Sequence, residues 1–276
     1  MKLISLYKII RAKLEAIFNY HYAIVKYGRD NCILVNYFKG VPNWGDDLNV
    51  YLIEKVSGKK VVMYPYSKKK HVLGIGSILH RAKDNSIVWG SGFISKESET
   101  TKKIDIRLLR GPLTSEKLHC EQVEFGDPGV CIRKFYNPVV EKKFKYGLIP
   151  HHVDKNNSTL KEWLERDDVL FIDIQQDIEP FIDQLLSCEK IISSSLHGLI
   201  ASDSYSIPNI HVIFSDKLLG GQFKFDDYAL GISGKKRQPI IVTDGTTIEN
   251  LSENSYYNEV SDAKIDSILK LFPYNI

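Results

Sequence analysis

From Asp30 onward, short apolar runs alternate with stretches of helical periodicity, and Gly-rich turns separate the two. That alternation restricts the chain to an α/β architecture, because parallel strands need crossover helices between them. Strands are predicted at Cys32 to Tyr37, Lys60 to Met63, His71 to Ile75, Ser86 to Trp89 and Ile104 to Leu109. Helices are predicted from Gly45 to Val56 and from Pro112 to His119, where a proline suits the first turn. Residues 137–145, with Pro138 and several lysines, read as a linker. A second unit follows, with strands at Tyr146 to Pro150, Val169 to Asp173, Lys190 to Ser193 and Asn209 to Ile213. Its helices are expected at Leu160 to Arg166, Ile178 to Cys188 and Leu196 to Ser206, with a last one over 261–271. The expectation is therefore two Rossmann-like parallel-sheet domains, 30–145 and 146–276, facing across a cleft that receives ligands at strand carboxyl ends.

Composition narrows the function. A chain of 276 residues that is 43% hydrophobic can bury one large core or two ordinary ones. Cys32, Cys120, Cys131 and Cys188 are scattered without metal-ligand spacing, which argues against a zinc site or a disulfide framework and fits a cytoplasmic location. Six basic residues (Lys2, Lys8, Arg11, Lys13, Lys26, Arg29) face only Glu15 and Asp30 within residues 1–30. The remainder is about neutral, so nucleic acid is not an expected partner. Residues 1–29 form a basic amphipathic helix with Leu3, Tyr7, Ile10, Leu14 and Ile17 on one face. That face either docks on its own domain or lies peripherally on the inner surface of a membrane.

Several constellations carry chemistry. Ile191 to Ile200 is a buried strand ending in Ser193, Ser194 and Ser195 and turning directly into a helix that bears His197 in its first turn. A helix start offers unpaired N–H groups to phosphate or carboxylate; a structural histidine is the plainer alternative. Gly74, Gly76 and Ser77 form a turn that lets backbone approach an anion, and Trp89-Gly-Ser-Gly92 repeats it, although both also read as tight turns. Neither continues into a dinucleotide or P-loop fingerprint. Arg110, at a strand end before Gly111-Pro112, suits an anion or a surface ion pair. In Asn43-Trp44-Gly45-Asp46-Asp47-Leu48-Asn49, Asp46 caps a helix, binds sugar hydroxyls or acts as a general base. His151 and His152 follow a strand and either face an acceptor or are solvated.

In order, Asn43 to Asn49, Gly74-Ile-Gly-Ser77, Trp89 to Gly92, Arg110-Gly-Pro112, Gly126-Asp-Pro-Gly129 and Ser195-Leu-His-Gly198 resemble the motif series of the polysaccharide pyruvyltransferase family, its succinoglycan-type members included. The resemblance runs from about Cys32 to Phe214. It implies a GT-B-like fold, phosphoenolpyruvate as donor, a saccharide diol as acceptor, lipid-linked through polyprenyl diphosphate in one reading, and no essential metal or cofactor. His197 matches the family's essential histidine, Arg110 a donor-binding arginine, and Asn43 and Asp46 the first glycine-acid motif. The expected donor site is Arg110, Ser193 to Ser195, Gly74, Gly76, Ser77 and Lys217; the expected acceptor side is Asn43, Trp44, Asp47, His151 and His152. One departure stands out: many members carry arginine where this chain has Ser195, and Lys217, Lys224 and Arg133 are the replacements considered. Protonated His197 would deliver a proton to the donor's methylene carbon while Asp46 assists. A nucleotide-sugar glycosyltransferase and a noncatalytic saccharide-binding protein remain the alternatives, since fold alone does not fix chemistry.

Overall fold

The computed structural model describes residues 2–63 and 68–274. Five strands, β1 (Cys32–Val35), β2 (Lys60–Met63), β3 (His71–Leu73), β4 (Ser86–Trp89) and β5 (Asp105–Leu108), form a sheet in the order β2-β1-β3-β4-β5. A second sheet contains β6 (Phe144–Ile149), β7 (Val169–Phe171), β8 (Cys188–Ser193), β9 (Asn209–Ile213) and β10 (Ile240–Ile241), in the order β10-β9-β8-β6-β7. Every pairing within these two sheets is parallel. The fold is thus α/β with two Rossmann-like sheets, and the predicted strands lie where the apolar runs placed them, several of them shorter by a residue or two at their ends.

The helices are α1 (Lys2–Tyr27), α2 (Trp44–Ser57), α3 (Pro112–Lys117), α4 (Ser158–Trp163), α5 (Ile178–Leu186), α6 (Leu196–Ser204), α7 (Phe223–Ser233), α8 (Ile248–Ser252) and α9 (Asp262–Lys270). The sequence pattern did not predict α7, α8 or β10. Helix α7 escaped because Phe223, Phe225, Tyr228, Ala229 and Gly231 are buried around it rather than on one face, so it lacks the usual amphipathic stripe.

The two sheets share one continuous apolar core, which includes Val35, Val72 and Val88 from one and Ile149 and Ile191 from the other. Helices α2 and α5 close that junction. Trp44 is fully buried there, its ring stacked on Phe181 at 4.9 Å between centroids. At the far end α9 returns to the first sheet, where Trp89 Nε1 donates to the Ile268 carbonyl at 2.9 Å. Burial of each such large side chain contributes on the order of 2 kcal/mol, so the halves pack as partners rather than as beads on a linker.

Candidate functional site

A cavity of about 340 Å³ opens between the two halves, within the range that accommodates a small ligand. Its wall from the first half includes Asn43, Asp46, Ser77 and Arg81, and its wall from the second includes His151, His152, Ser195, His197 and Lys224.

Asn43 is the N-cap of α2, and its Oδ1 accepts from the Gly45 amide at 3.1 Å. The same Oδ1 lies 2.6 Å from His197 Nδ1, on the first turn of α6. Because that oxygen is already an acceptor, the imidazole donates from Nδ1, which leaves the lone pair of the neutral ring on Nε2. Burial, reinforced by Lys224, His151 and Arg110, pushes His197 down to about 3, so its ring is neutral in the free protein. Gly45 makes the arrangement possible: a Cβ there would lie 2.1 Å from His197 Cγ. The helix of one half therefore presents bare backbone to the histidine of the other.

Asp46, one residue on, behaves oppositely. Burial and the neighbouring Asp47 push its carboxyl up to about 7, against the pull of Arg81 and Lys224. It thus holds a proton over part of the neutral range, while His197 does not. Lys224 on α7 is 9% exposed, and burial pulls its ammonium down to about 8, with Arg110 adding to the effect and Asp46 opposing it. Arg81 is exposed, with its guanidinium 5.2 Å from the Phe38 ring centroid. Together Lys224 and Arg81 give the cavity a cationic wall suited to a multiply charged anion.

Arg110 is fully buried rather than emerging at a strand end. Its Nε donates to Asp227 Oδ2 at 3.0 Å, Nη2 to the Phe93 carbonyl at 2.6 Å, and Nη1 to Ser77 Oγ at 2.5 Å. Gly92 lies beneath it, where a Cβ would come within 2.6 Å of the guanidinium carbon. Asp227 also accepts from the Thr114 amide and hydroxyl, at 2.9 and 2.7 Å, so it joins α7 to the start of α3. Arg110, expected to bind the donor anion, is instead held in an interior ion pair, and it faces the cavity only through Ser77, whose hydroxyl proton is left to donate to a ligand.

Other expected residues are placed behind the wall. Ser193 Oγ donates to the Ile149 carbonyl at 2.8 Å, and Ser194 Oγ donates to Asp154 at 2.8 Å while accepting the His151 amide at 2.9 Å. These hydroxyls fix the turn, while Ser195 and the uncapped start of α6 border the cavity. Gly74 and Gly76 sit against Asn49 and Asp46 and do not line it; Asn49 brackets that turn by bonding both the amide and the carbonyl of Ile75, at 2.9 and 3.0 Å. Trp44 belongs to the core, and Asp47 and Lys217 are exposed outside the lining. Of the replacements considered for the missing arginine, Lys224 borders the cavity, whereas Arg133 is committed to Asp262 and to the Ser204 and Val260 carbonyls. His151, pushed down to about 3 chiefly by burial, and His152 lie side by side on the second wall, their ring centroids 4.2 Å apart and their planes tilted by 38°.

Sequence reasoning missed Arg81 altogether, since an arginine beside a histidine in a short turn carries no local signal. Asp227 was likewise invisible, being 117 residues from its partner Arg110.

Among the described residues no His/Cys/Asp/Glu group with metal-binding geometry occurs, and no helix is long and apolar enough to cross a membrane. The sequence profile of the polysaccharide pyruvyl transferase family matches residues 22–215. An uncharacterized protein of Acanthamoeba polyphaga mimivirus is 33% identical over 82% of this chain and 83% of its own length. Succinoglycan biosynthesis protein ExoV of Rhizobium meliloti is 27% identical over 73% of this chain and 66% of its own. Lys224 and Asp227 lie beyond the matched stretch.

Proposed function

Since this chain belongs to the polysaccharide pyruvyl transferase family, and is therefore a transferase, we propose that it moves the pyruvyl group of phosphoenolpyruvate onto two hydroxyls of a saccharide, forming a ketal and releasing phosphate. The observation that carries this reading is the convergence on one cavity of Asp46, whose carboxyl burial drives toward its protonated form, His197, whose ring burial keeps neutral, and the cations Arg81 and Lys224. Arg81 and Lys224 hold the phosphate and carboxylate of the donor, Ser77 and the start of α6 add hydrogen bonds, and preorganised donors of this kind stabilise charge without reorganising.

The protonation pattern exchanges the roles expected from sequence. Asp46 delivers its proton to the methylene carbon of the donor, which makes C2 electrophilic. A sugar hydroxyl attacks C2 and loses its proton to His197 Nε2, whose ring Asn43 holds in the required tautomer. The second hydroxyl then attacks C2 as the bond from C2 to the phosphate oxygen breaks, phosphate leaving with the electron pair and its departing oxygen taking the hydroxyl proton. His151 and His152 face the acceptor.

The test is phosphate release from phosphoenolpyruvate with a panel of galactosides, glucosides and mannosamine derivatives, with mass analysis for the pyruvyl group. Sugar-dependent release that His197→Ala and Asp46→Asn both abolish is expected. Tight calorimetric binding of a nucleoside diphosphate with none of phosphoenolpyruvate would instead make the protein a glycosyltransferase. Saccharide binding with no turnover of any donor would make it a binding protein.

A further inference from the structure

Helix α1 is held by one face near its C-terminal end. Tyr20 and Ala23 pack with Leu34 and Val62 over the first sheet. A different stripe carries Ile10, Leu14, Phe18 and Val25, which are 50, 61, 69 and 88% exposed, with Tyr22 beside them at 54%. At 3.6 residues per turn these side chains share one side of the helix. Single exposed apolar residues are ordinary, but an uncovered stripe along several turns is not. The side chains of Leu3 and Tyr7, expected on the same face, lie outside the described residues.

The stripe has a cationic border. Arg11, paired with Glu15 at 2.8 Å, and Lys26 flank it on one edge and Lys13 on the other, and Lys26 Nζ sits over the Tyr22 and Tyr27 rings at 5.6 and 5.1 Å. At the foot of the helix a second cavity, of about 350 Å³, is lined by Tyr20, Arg29, Lys69, Lys70 and Tyr274 among others. Among the described residues no carboxylate contributes to that lining, and Lys69 Nζ donates to Tyr20 Oη at 2.5 Å, which ties Lys69 to the docked face of α1.

We propose that α1 lies flat in the headgroup region of an anionic membrane, with the stripe in the acyl boundary and a lipid phosphate in the basic cavity at its foot. Charge complementarity selects this occupant: two copies of so basic a helix face to face would bring like charges together, whereas an anionic leaflet neutralises them.

The test uses the full chain in co-sedimentation with phosphatidylcholine vesicles, alone or with about 30 mol % phosphatidylglycerol. Binding at least about tenfold tighter to the anionic vesicles is expected. The pair Leu14→Glu and Phe18→Glu should abolish it without altering circular dichroism or the melting temperature, since neither side chain contacts the core. The pair Arg29→Glu and Lys70→Glu should weaken only the anionic preference. Equal binding of wild type and the Leu14/Phe18 variant, or no preference for anionic lipid, overturns the proposal. So does a dimer in light scattering that the same variant dissolves while vesicles are ignored, because a second copy then covers the stripe.

Discussion

Replacing Gly45 with alanine separates a local from a tertiary account of the first motif. Gly45 is in the first turn of α2, and helix propensity alone makes alanine more stable there by about 1 kcal/mol. The tertiary structure demands the reverse. The new Cβ would lie 2.1 Å from His197 Cγ and 2.3 Å from both Cδ2 and Nδ1, whereas ordinary carbon contacts begin near about 3.5 Å. The ring must retreat by about 1 Å or more, which breaks its 2.6 Å bond to Asn43. Overpacking of this kind costs about 1–3 kcal/mol, and the lost hydrogen bond about 1 kcal/mol more. The net expectation for Gly45→Ala is a loss of roughly 1–3 kcal/mol in denaturant unfolding. Turnover should fall by about 100-fold, the effect of misplacing a reacting group by about 1 Å. Steady-state phosphate release and urea denaturation measure the two quantities. A variant that melts higher than wild type and keeps kcat within about threefold would refute the placement of His197 against this helix.

Three further outcomes follow from the interior charges. If Asp46 supplies the proton, kcat/KM should fall as pH rises through about 7, where its carboxyl ionises; donor affinity should fall above about 8, where Lys224 loses its charge. Lys224→Met should raise the KM for phosphoenolpyruvate by about 10-fold or more and remove the second limb, as read from pH-dependent initial rates. Asp127 is buried with Oδ2 unpartnered among the described residues, and burial pushes it up to about 6 from an ordinary value of 3.8. Its folded form binds the proton more tightly than the unfolded chain does, so that contribution is full below pH 3.8 and lost as pH rises through about 6. Asp127→Asn should therefore gain on wild type by up to about 3 kcal/mol between pH 4.5 and 7.5 in denaturant titrations; parallel pH curves would count against it. Asp227→Ala strands the buried Arg110 guanidinium and should cost about 3–5 kcal/mol, while Asp227→Ala combined with Arg110→Met costs less; equal losses would mean that an unpaired guanidinium carries no penalty at this site.

By itself the sequence determined the two-sheet α/β architecture, the positions of nine strands along the chain and the strand-to-helix turn that bears His197, because these rest on periodicity and on turn residues that act over a few positions. Asn43 and His197 were both legible as candidates, yet their contact spans 154 residues, and no local pattern encodes such a distance. For the same reason Arg110 read as an anion site until Asp227 met it in the interior, and Trp44 was expected on the acceptor side until Phe181 covered it. Helix α7 was hidden because burial on several sides erases amphipathic periodicity, so Lys224 was legible only as one of three replacements for the family's arginine and not as a residue of the cavity wall. Which of two titratable groups favours the proton likewise depends on tertiary structure, since desolvation depends on what surrounds a side chain rather than on what precedes it.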